Sequence, residues 1–194
     1  VYITVSVDEV ASLLSKVKKN AGVDGIPTWV FSKYSAILAP VFTNLINRSL
    51  LLGFIPKILK LANVVPVPKC SNPKTCSDYR PISLISPIAK ILERIVINKC
   101  IKPLINDDYF GDQFAFVPLK GRGSTTALNL LYCDTLQQLD RPGFVRVMMI
   151  DASKAFDRVD YNILLSKMNA CGIPANCLHW IRKYLSGREQ RVIT

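Results

Sequence analysis

The hydrophobic and polar residues of the sequence recur with the period of an α-helix in several places. The clearest case has apolar residues at i, i+3, i+4, i+7 and i+8, the spacing of one buried helix face. These residues are Ile88, Ile91, Leu92, Ile95 and Val96. Ser86 and Pro87 are a typical start for this helix, because a serine hydroxyl caps free N–H groups and proline fits the first helical position. Pro103 is predicted to end it.

Similar patterns predict further helices along the chain. They cover residues 8–20, 35–52, 124 to about 140, 160–170 and 174–185. Gly53 ends the second of these, and the turn sequence "DRPG" ends the third. The sequence therefore predicts several helices.

Two short segments predict a β-hairpin. The first is "ANVVPVPK", residues 62–69, whose prolines favour a strand at the edge of a sheet. The second is "RPISLI", residues 80–85. The ten residues between them, "CSNPKTCSDY", form a loop. The cations Lys69 and Arg80 flank this loop.

A nearly continuous apolar run, "FVRVMMI" at residues 144–150, predicts a strand that is covered on both faces. Another strand is predicted to begin at "REQRVIT", residues 188–194. Helices and strands are mixed without the regular alternation of a doubly wound sheet. The predicted fold class is therefore α/β in the α+β sense.

The residue that ends the apolar run is a carboxylate, Asp151. Proteins of mixed α/β architecture commonly place functional side chains at the C-terminal end of a strand. Mg²⁺ is usually held by one or two carboxylates, waters and substrate phosphates. Asp151 can supply one such ligand and the carbonyl of Ala152 another, while Phe156 offers an apolar wall for a sugar or a base. The alternative is that Asp151 only caps the helix that follows.

Other carboxylates are weaker candidates. Asp157 and Asp160 have basic sequence neighbours, so local ion pairs at a solvated helix start explain them. Asp107 and Asp108 precede a turn and are better explained as loop or capping residues.

Cations next to loops are candidates for phosphate contacts. Lys69 and Arg80 can clamp a triphosphate, lysine as a point charge and arginine through its planar fork. The alternative is that they are ordinary exposed cations at strand ends. The stretch "KGRGST" combines flexible glycines, cations and a helix start, which suits a phosphate or backbone contact, although it lacks the Walker spacing. Its candidate residues are Lys120, Arg122 and Ser124.

Composition narrows the function classes. The 194 residues carry 25 Lys and Arg against 14 Asp and Glu, a net charge of +11. Such an excess suits a polyanion partner, and an inert basic surface explains the charge equally well. The six cysteines have the pattern of free thiols in a reducing compartment and are too widely spaced for a usual zinc site. A single histidine, His179, does not support a Ser/His hydrolase. No uncharged apolar run reaches the roughly 18 residues of a membrane span.

Together these motifs resemble the N-terminal part of a reverse transcriptase domain of the non-LTR (LINE-type) retrotransposon kind. The similar segments follow the family's order and cover nearly the whole chain. They are "GVDGIP", "ANVVPVPK", "DYRPISLISPIAKILERIV", "DQFAFVPLKGRGSTTAL", "MIDASKAFDRVDYNILLSKM" and "WIRKYLSGREQRVI". The fifth segment matches the first catalytic motif of the palm closely.

The resemblance implies a partial right-hand polymerase fold, with fingers and an incomplete palm. It makes Asp151 the first catalytic metal ligand and places Phe156 beneath the deoxyribose, where it clashes with a 2′-hydroxyl. Lys69 and Arg80 become contacts to the incoming triphosphate. The implied cofactor is Mg²⁺, two ions in the complete domain. The implied partners are an RNA template, a DNA primer and dNTPs, with an intracellular location in cytoplasm and nucleus and no membrane role.

The resemblance also implies a domain division, with fingers and N-terminal helices in residues 1–110 and the start of the palm in 111–194. Ala115 and Val117 depart from the usual glycine and arginine of the family. Neither the later Gln-Gly motif nor an aromatic-x-Asp-Asp sequence follows Asp151, so we expect a truncated domain that is inactive by itself. The alternatives are a non-catalytic nucleic-acid-binding remnant and a basic globular domain with no nucleic-acid role.

Overall fold

The computed structural model falls into two compact units. One combines Val1–Leu104 with Asp160–Thr194 and is called the larger unit; the other, Ile105–Val159, is the smaller unit. Each is described by itself. The residues that the structure describes are 3–17, 25–104, 110–117 and 121–193.

Helices and a small sheet make up the described structure, which confirms the mixed α+β class. The elements of the larger unit are α1 (Val7–Ser15), α2 (Thr28–Lys33), α3 (Ser35–Leu52), β1 (Leu61–Pro68), β2 (Tyr79–Ile85), α4 (Pro87–Val96), α6 (Tyr161–Ala170), α7 (Ala175–Leu185) and β3 (Glu189–Val192). The smaller unit contains α5 (Ser124–Leu139). All of the predicted helices are therefore present, and α2 is a helix that the sequence patterns did not predict.

Helix α4 begins as predicted. The hydroxyl of Ser86 accepts a hydrogen bond from the Ile88 N–H at 3.3 Å, and Pro87 is the first helical residue. The predicted apolar stripe is buried. The regular α-helix ends at Val96, before the predicted end at Pro103. The helical path continues through a π-helical turn, Ile97–Ile101, and a 3-10 turn that contains Pro103.

Helix α1 is shorter than predicted. It ends at Ser15, although the apolar periodicity predicted a helix as far as residue 20. The hydroxyl of Ser6 caps its start by accepting a hydrogen bond from the Glu9 N–H at 3.2 Å. Lys16 already leaves the helical conformation, with φ −92° and ψ 4°.

The three strands form one sheet in the order β2-β1-β3. β1 pairs antiparallel with β2, so the predicted hairpin is confirmed, and it pairs parallel with β3 on its other side. β1 is therefore the central strand, and the prediction that it lies at an edge is wrong. The prolines alone favour an edge position. The second partner of β1 comes from more than 120 residues later in the chain, so the local sequence does not reveal it.

The position of its prolines explains how β1 can be central. The carbonyl of Val64 accepts a hydrogen bond from the Ile193 N–H at 2.9 Å, so the even-numbered residues of β1 turn their backbone polar groups towards β3. Pro66 and Pro68 share that side, but the pairing with β3 extends only to Val64. Their missing N–H groups therefore remove no hydrogen bond from the sheet.

The core of the larger unit is built from helices α1, α3, α4 and α7. Asn47 on α3 ties the N-terminal segment to this core, because its amide accepts from the Val5 N–H at 2.8 Å and donates to the Val5 carbonyl at 3.0 Å. The indole N–H of Trp180 donates to the Ser49 hydroxyl at 3.1 Å. Core residues from the four helices include Val10, Leu14, Ala39, Ile46, Ile91, Leu92, Ile95 and Ile181.

Helix α3 has 18 residues and a mean hydropathy of 1.3, so by length and composition alone it is long enough to cross a membrane. The sequence still has no uncharged apolar run of that length, because Arg48 lies within this helix. Ala39 and Ile46 on α3 are buried in the core of the larger unit, whereas Ile37 and Leu52 on the same helix are exposed.

The smaller unit has a different character. Helix α5 has no buried residue. Residues 144–150 form no strand, and all of them except the half-buried Val145 are exposed, with Phe144 at 77% and Ile150 at 84% of their full accessibility. The prediction of a strand covered on both faces is therefore wrong for the described structure. A strand needs a hydrogen-bonded neighbour, and the strands that the structure describes all belong to the larger unit.

Gly53 ends α3 in a conformation that only glycine adopts readily. Its φ is +62°, in the left-handed region, and an added Cβ would lie 2.4 Å from Cδ2 of His179. Gly187 has a similar φ of +61°, but an added Cβ there would meet no atom within 4 Å. The two glycines therefore differ in contact and not in backbone strain.

We expect Gly53→Ala to lower the free energy of unfolding by about 2 to 3 kcal/mol, since left-handed strain and displacement of the His179 ring add together. Gly187→Ala is the matched control and should cost only the strain, about 1 to 2 kcal/mol. Urea unfolding measures both. Adding His179→Ala to each variant should remove the difference between them, and a difference that persists would contradict the contact.

Candidate active site

The β1–β2 hairpin brings two predicted cations to one face. Val67 lies directly opposite Arg80, and Lys69 follows Val67 by two residues. The Lys69 N–H donates to the Asp78 carbonyl at 2.7 Å, which continues the ladder beyond the last strand residue. Because side chains alternate along a strand, Lys69 and Arg80 lie on the same face as diagonal neighbours. Both are exposed.

The loop between these cations is organised by one carboxylate. Asp78 accepts hydrogen bonds from the N–H groups of Lys74 at 2.9 Å and Thr75 at 2.8 Å, and from the Thr75 hydroxyl at 3.0 Å. The Thr75 N–H, then that of Lys74, hold the pKa of Asp78 below its ordinary value. Asp78 is not among the residues predicted from the sequence. Its signal is the segment "TCSD", which has the spacing of a capping box, with Thr75 three residues before an acidic residue.

The two cations are held differently. The ammonium group of Lys69 donates to the Ser77 carbonyl at 2.7 Å, so the loop orients it. Arg80 has no ion pair within the described part of the chain. The ion pair found there joins Lys99 to Glu9. Its guanidinium is therefore available for an anion in front of this face.

Asp151 and Ala152 lie in the smaller unit and are exposed. The alternative role for Asp151, capping the next helix, is not the observed one. The next α-helix is α6, and its cap is Asp160, whose carboxylate accepts from the N–H groups of Asn162 at 2.7 Å and Ile163 at 3.0 Å. This capping role agrees with the interpretation of Asp160 as a helix-start residue.

Phe156 is also exposed, at 76% of its full accessibility. It begins a short 3-10 helix, Phe156–Arg158, and its ring meets that of Phe116 edge to face, with centroids 5.6 Å apart. Phe116 and Lys154 both have positive φ, 59° and 52°, which is uncommon for residues other than glycine. Such strained positions often cluster at functional sites.

The candidates in "KGRGST" have mixed outcomes. Lys120 lies outside the described residues. The guanidinium of Arg122 donates to the carbonyls of Gly111 and Gln113, the latter at 2.9 Å, and lies 5.5 Å from the centroid of the Phe114 ring. Ser124 is the first residue of α5. Arg122 therefore holds the turn at residues 110–117 through its donors.

Asp151 belongs to the smaller unit, whereas Lys69 and Arg80 belong to the larger unit. No group of three His, Cys, Asp or Glu side chains that could hold a metal lies among the residues described. Asp151 offers one carboxylate, which fits a partial Mg²⁺ site completed by waters and substrate phosphates. The candidate pair Asp107 and Asp108 lies outside the described residues.

The part of the chain that carries these residues is similar to known proteins. Residues 67–194 match the family described as reverse transcriptase (RNA-dependent DNA polymerase). The chain is 28% identical over 190 residues to the probable RNA-directed DNA polymerase from transposon BS of Drosophila melanogaster, covering 95% of this chain and 20% of that protein. It is 28% identical over 189 residues to the transposon TX1 uncharacterized 149 kDa protein of Xenopus laevis, covering 95% and 14%.

A further relative is the RNA-directed DNA polymerase from mobile element jockey of Drosophila funebris, 25% identical over 190 residues, which cover 95% of this chain and 20% of that protein. The chain thus spans about a fifth or less of the length of these curated relatives. The matched family region includes Lys69, Arg80, Asp151 and Phe156. The chain belongs to the reverse transcriptase (RNA-dependent DNA polymerase) family, among the non-LTR retrotransposon polymerases.

Proposed function

We propose that the chain supplies the fingers and the first palm motif of an RNA-directed DNA polymerase. The observation that carries this proposal is the shared face of Lys69 and Arg80 at the hairpin end, the two positions that the family resemblance assigns to the incoming triphosphate. The same resemblance assigns residues 1–110 to the fingers and 111–194 to the palm. The substrates are an RNA template, a DNA primer and dNTPs, and the location is intracellular.

Each candidate residue has a separate task in this proposal. Lys69 and Arg80 bind and orient the triphosphate through charge-assisted hydrogen bonds. Asp151 and the Ala152 carbonyl hold Mg²⁺, of which the complete domain binds two ions. Phe156 packs beneath the deoxyribose. Lys120, Arg122 and Ser124 are weaker candidates for the nucleic-acid backbone, and Nη1 of Arg122 already donates to two carbonyls.

The chemistry is transfer of a nucleotidyl group to a primer 3′-hydroxyl with release of pyrophosphate. Mg²⁺ held by Asp151 and the Ala152 carbonyl would neutralise charge on the triphosphate and would lower the pKa of the attacking hydroxyl. The residues of this chain contribute position: the fork of Arg80 and the point charge of Lys69 fix the phosphates, and the ring of Phe156 fixes the sugar. Because Phe156 is exposed, its ring has an open side on which a sugar can lie.

A second candidate function is nucleic-acid binding without catalysis. The net charge of +11 supports it, because a basic protein binds the phosphates of a polyanion. Both candidate functions predict salt-dependent RNA binding, so only synthesis separates them.

We expect the isolated 194-residue chain to incorporate no dNTP on a primed RNA template, because Asp151 alone cannot assemble a two-metal site. A longer protein that contains this chain and the following palm residues should extend the primer. In that protein Asp151→Asn should lower the rate by at least about 10³-fold, since such sites depend on each charged ligand. Asp157→Asn is the control, and an equal loss there, or robust synthesis by the isolated chain, would contradict the assignment.

We expect Arg80→Gln in the longer protein to raise KM for dNTPs about tenfold or more, because a charge-assisted hydrogen bond contributes about 1.5 to 3 kcal/mol. Lys74→Gln is a matched control on the same loop, since only the backbone of Lys74 takes part in the Asp78 network. Steady-state kinetics with one varied dNTP measures both. Equal KM values for the two variants would remove Arg80 from the nucleotide site.

We expect Phe156→Val in the longer protein to lower the preference for dNTP over rNTP by about 10- to 200-fold, the range that a steric pocket of this size provides. Phe156→Tyr keeps the bulk of the ring and should retain the preference. The measurement is the ratio of kcat/KM for dCTP and CTP on one template. A preference unchanged by valine would show that Phe156 does not exclude the ribose.

A further inference from the structure

A basic cleft lies in the larger unit, apart from every residue assigned above. It has a volume of about 680 Å³, and its walls come from β2, from the α4 helix with its continuation, and from Arg188. Ser83 and Ile85 form the sheet wall. Because Ser83 is an odd number of residues from Arg80, the pleat places the two on opposite faces of the hairpin. The cleft is thus on the face that Lys69 and Arg80 do not use.

The helix wall carries a row of polar and basic residues. Successive members are four residues apart, which places them on one helix face with an axial rise of about 6 Å between neighbours. They are Lys90, Arg94, Asn98 and Lys102. Like charges at i, i+4 repel one another and destabilise a helix. Lys90 and Arg94 are such a pair, and among the described residues neither they nor Lys102 form an ion pair.

The one carboxylate in the cleft wall is already engaged. Glu93 accepts a hydrogen bond from the buried Tyr184 hydroxyl, and burial, followed by this bond, raises the pKa of Tyr184. Arg188 lies over the same ring, with its guanidinium carbon 4.6 Å from the centroid. Tyr184 thus orders one cation and one anion together. Four cations against one carboxylate leave the cleft strongly positive.

The backbone of the helix wall is also irregular at this place. Residues Ile97–Ile101 form a π-helical turn, and Ile97 and Asn98 line the cleft. π-helical turns are rare and are often found at functional sites, because they re-aim side chains at a modest cost in stability. Here the turn lies between Arg94 and Lys102 and sets the direction of the last cation relative to the others.

We propose that this cleft binds the phosphodiester backbone of a single-stranded nucleic acid, which, resting on the proposed function, is the RNA template. The row from Lys90 to Lys102 is about 18 Å long at 1.5 Å per residue, which matches a track of successive phosphates rather than a pocket for one anion. Lysines and arginines contact the phosphates, and the amide of Asn98 is available to a sugar hydroxyl or a base edge. The cleft reads no sequence through its cations.

The test removes three charges from the row without touching Arg188 or Tyr184. The variant is Lys90→Gln, Arg94→Gln and Lys102→Gln, all exposed positions at which glutamine is a good helix former. The matched control removes three exposed lysines elsewhere in the larger unit: Lys16→Gln, Lys167→Gln and Lys183→Gln. Both variants lower the net charge equally. Circular dichroism and thermal unfolding should show the cleft variant folded and no less stable, because repulsion along the helix is relieved.

The readout is anisotropy of a labelled single-stranded RNA of about 12 nucleotides, titrated with the 194-residue chain at several salt concentrations. Three lost phosphate contacts should reduce the slope of log K against log salt by about 2 and weaken binding on the order of 100-fold at about 0.1 M salt. The control should change neither by more than a small factor. Equal losses in the two variants would overturn the proposal, because binding would then follow total charge.

One further arm decides between a strand and a single anion as the occupant of the cleft. Inorganic tripolyphosphate should displace the RNA no better than sodium chloride of equal ionic strength, and saturable displacement would overturn the strand assignment in favour of a site for one anion. The proposed function fails separately. If RNA binding depends on the cleft but synthesis does not need Asp151, only the proposed function is overturned. If synthesis needs Asp151 but RNA binding does not depend on the cleft, only this inference is overturned.

Discussion

The antiparallel pairing of β1 with β2 is the interaction on which the rest of the structure depends. Its register places Lys69 and Arg80 on one face of the hairpin and Ser83 and Ile85 on the other. A slip of one residue would exchange the two faces, so both the face proposed to bind the nucleotide and the basic cleft depend on the same ladder of hydrogen bonds. The Asp78 network fixes the loop end of that ladder.

Local signals predicted the fold where the partners of a segment lie nearby in sequence. The stripe and the cap of α4, the end of α3 at Gly53 and the β1–β2 hairpin all follow from residues a few positions apart. The failures concern distant partners. The central place of β1 depends on β3, and a strand at residues 144–150 requires a neighbour that the local sequence cannot specify.

The site shows the same division. The motif around Asp151 predicted a functional carboxylate, and the next α-helix is capped by Asp160 and not by Asp151. Alternation along the hairpin explains why Lys69 and Arg80, eleven residues apart, share a face. Sequence patterns did not show that Arg122 is engaged by carbonyls or that a row of cations lines a cleft. Both facts depend on where backbone carbonyls and the sheet lie in space.

The prolines of β1 have a consequence beyond the pairing of the sheet. Among the described residues β3 pairs with β1 only as far as Val64, and a strand edge with free N–H groups is a template for strand addition and aggregation. Pro66 and Pro68 remove those donors while leaving the side that faces β2 intact. This edge of β1 therefore offers no N–H donor at these two positions to an incoming strand.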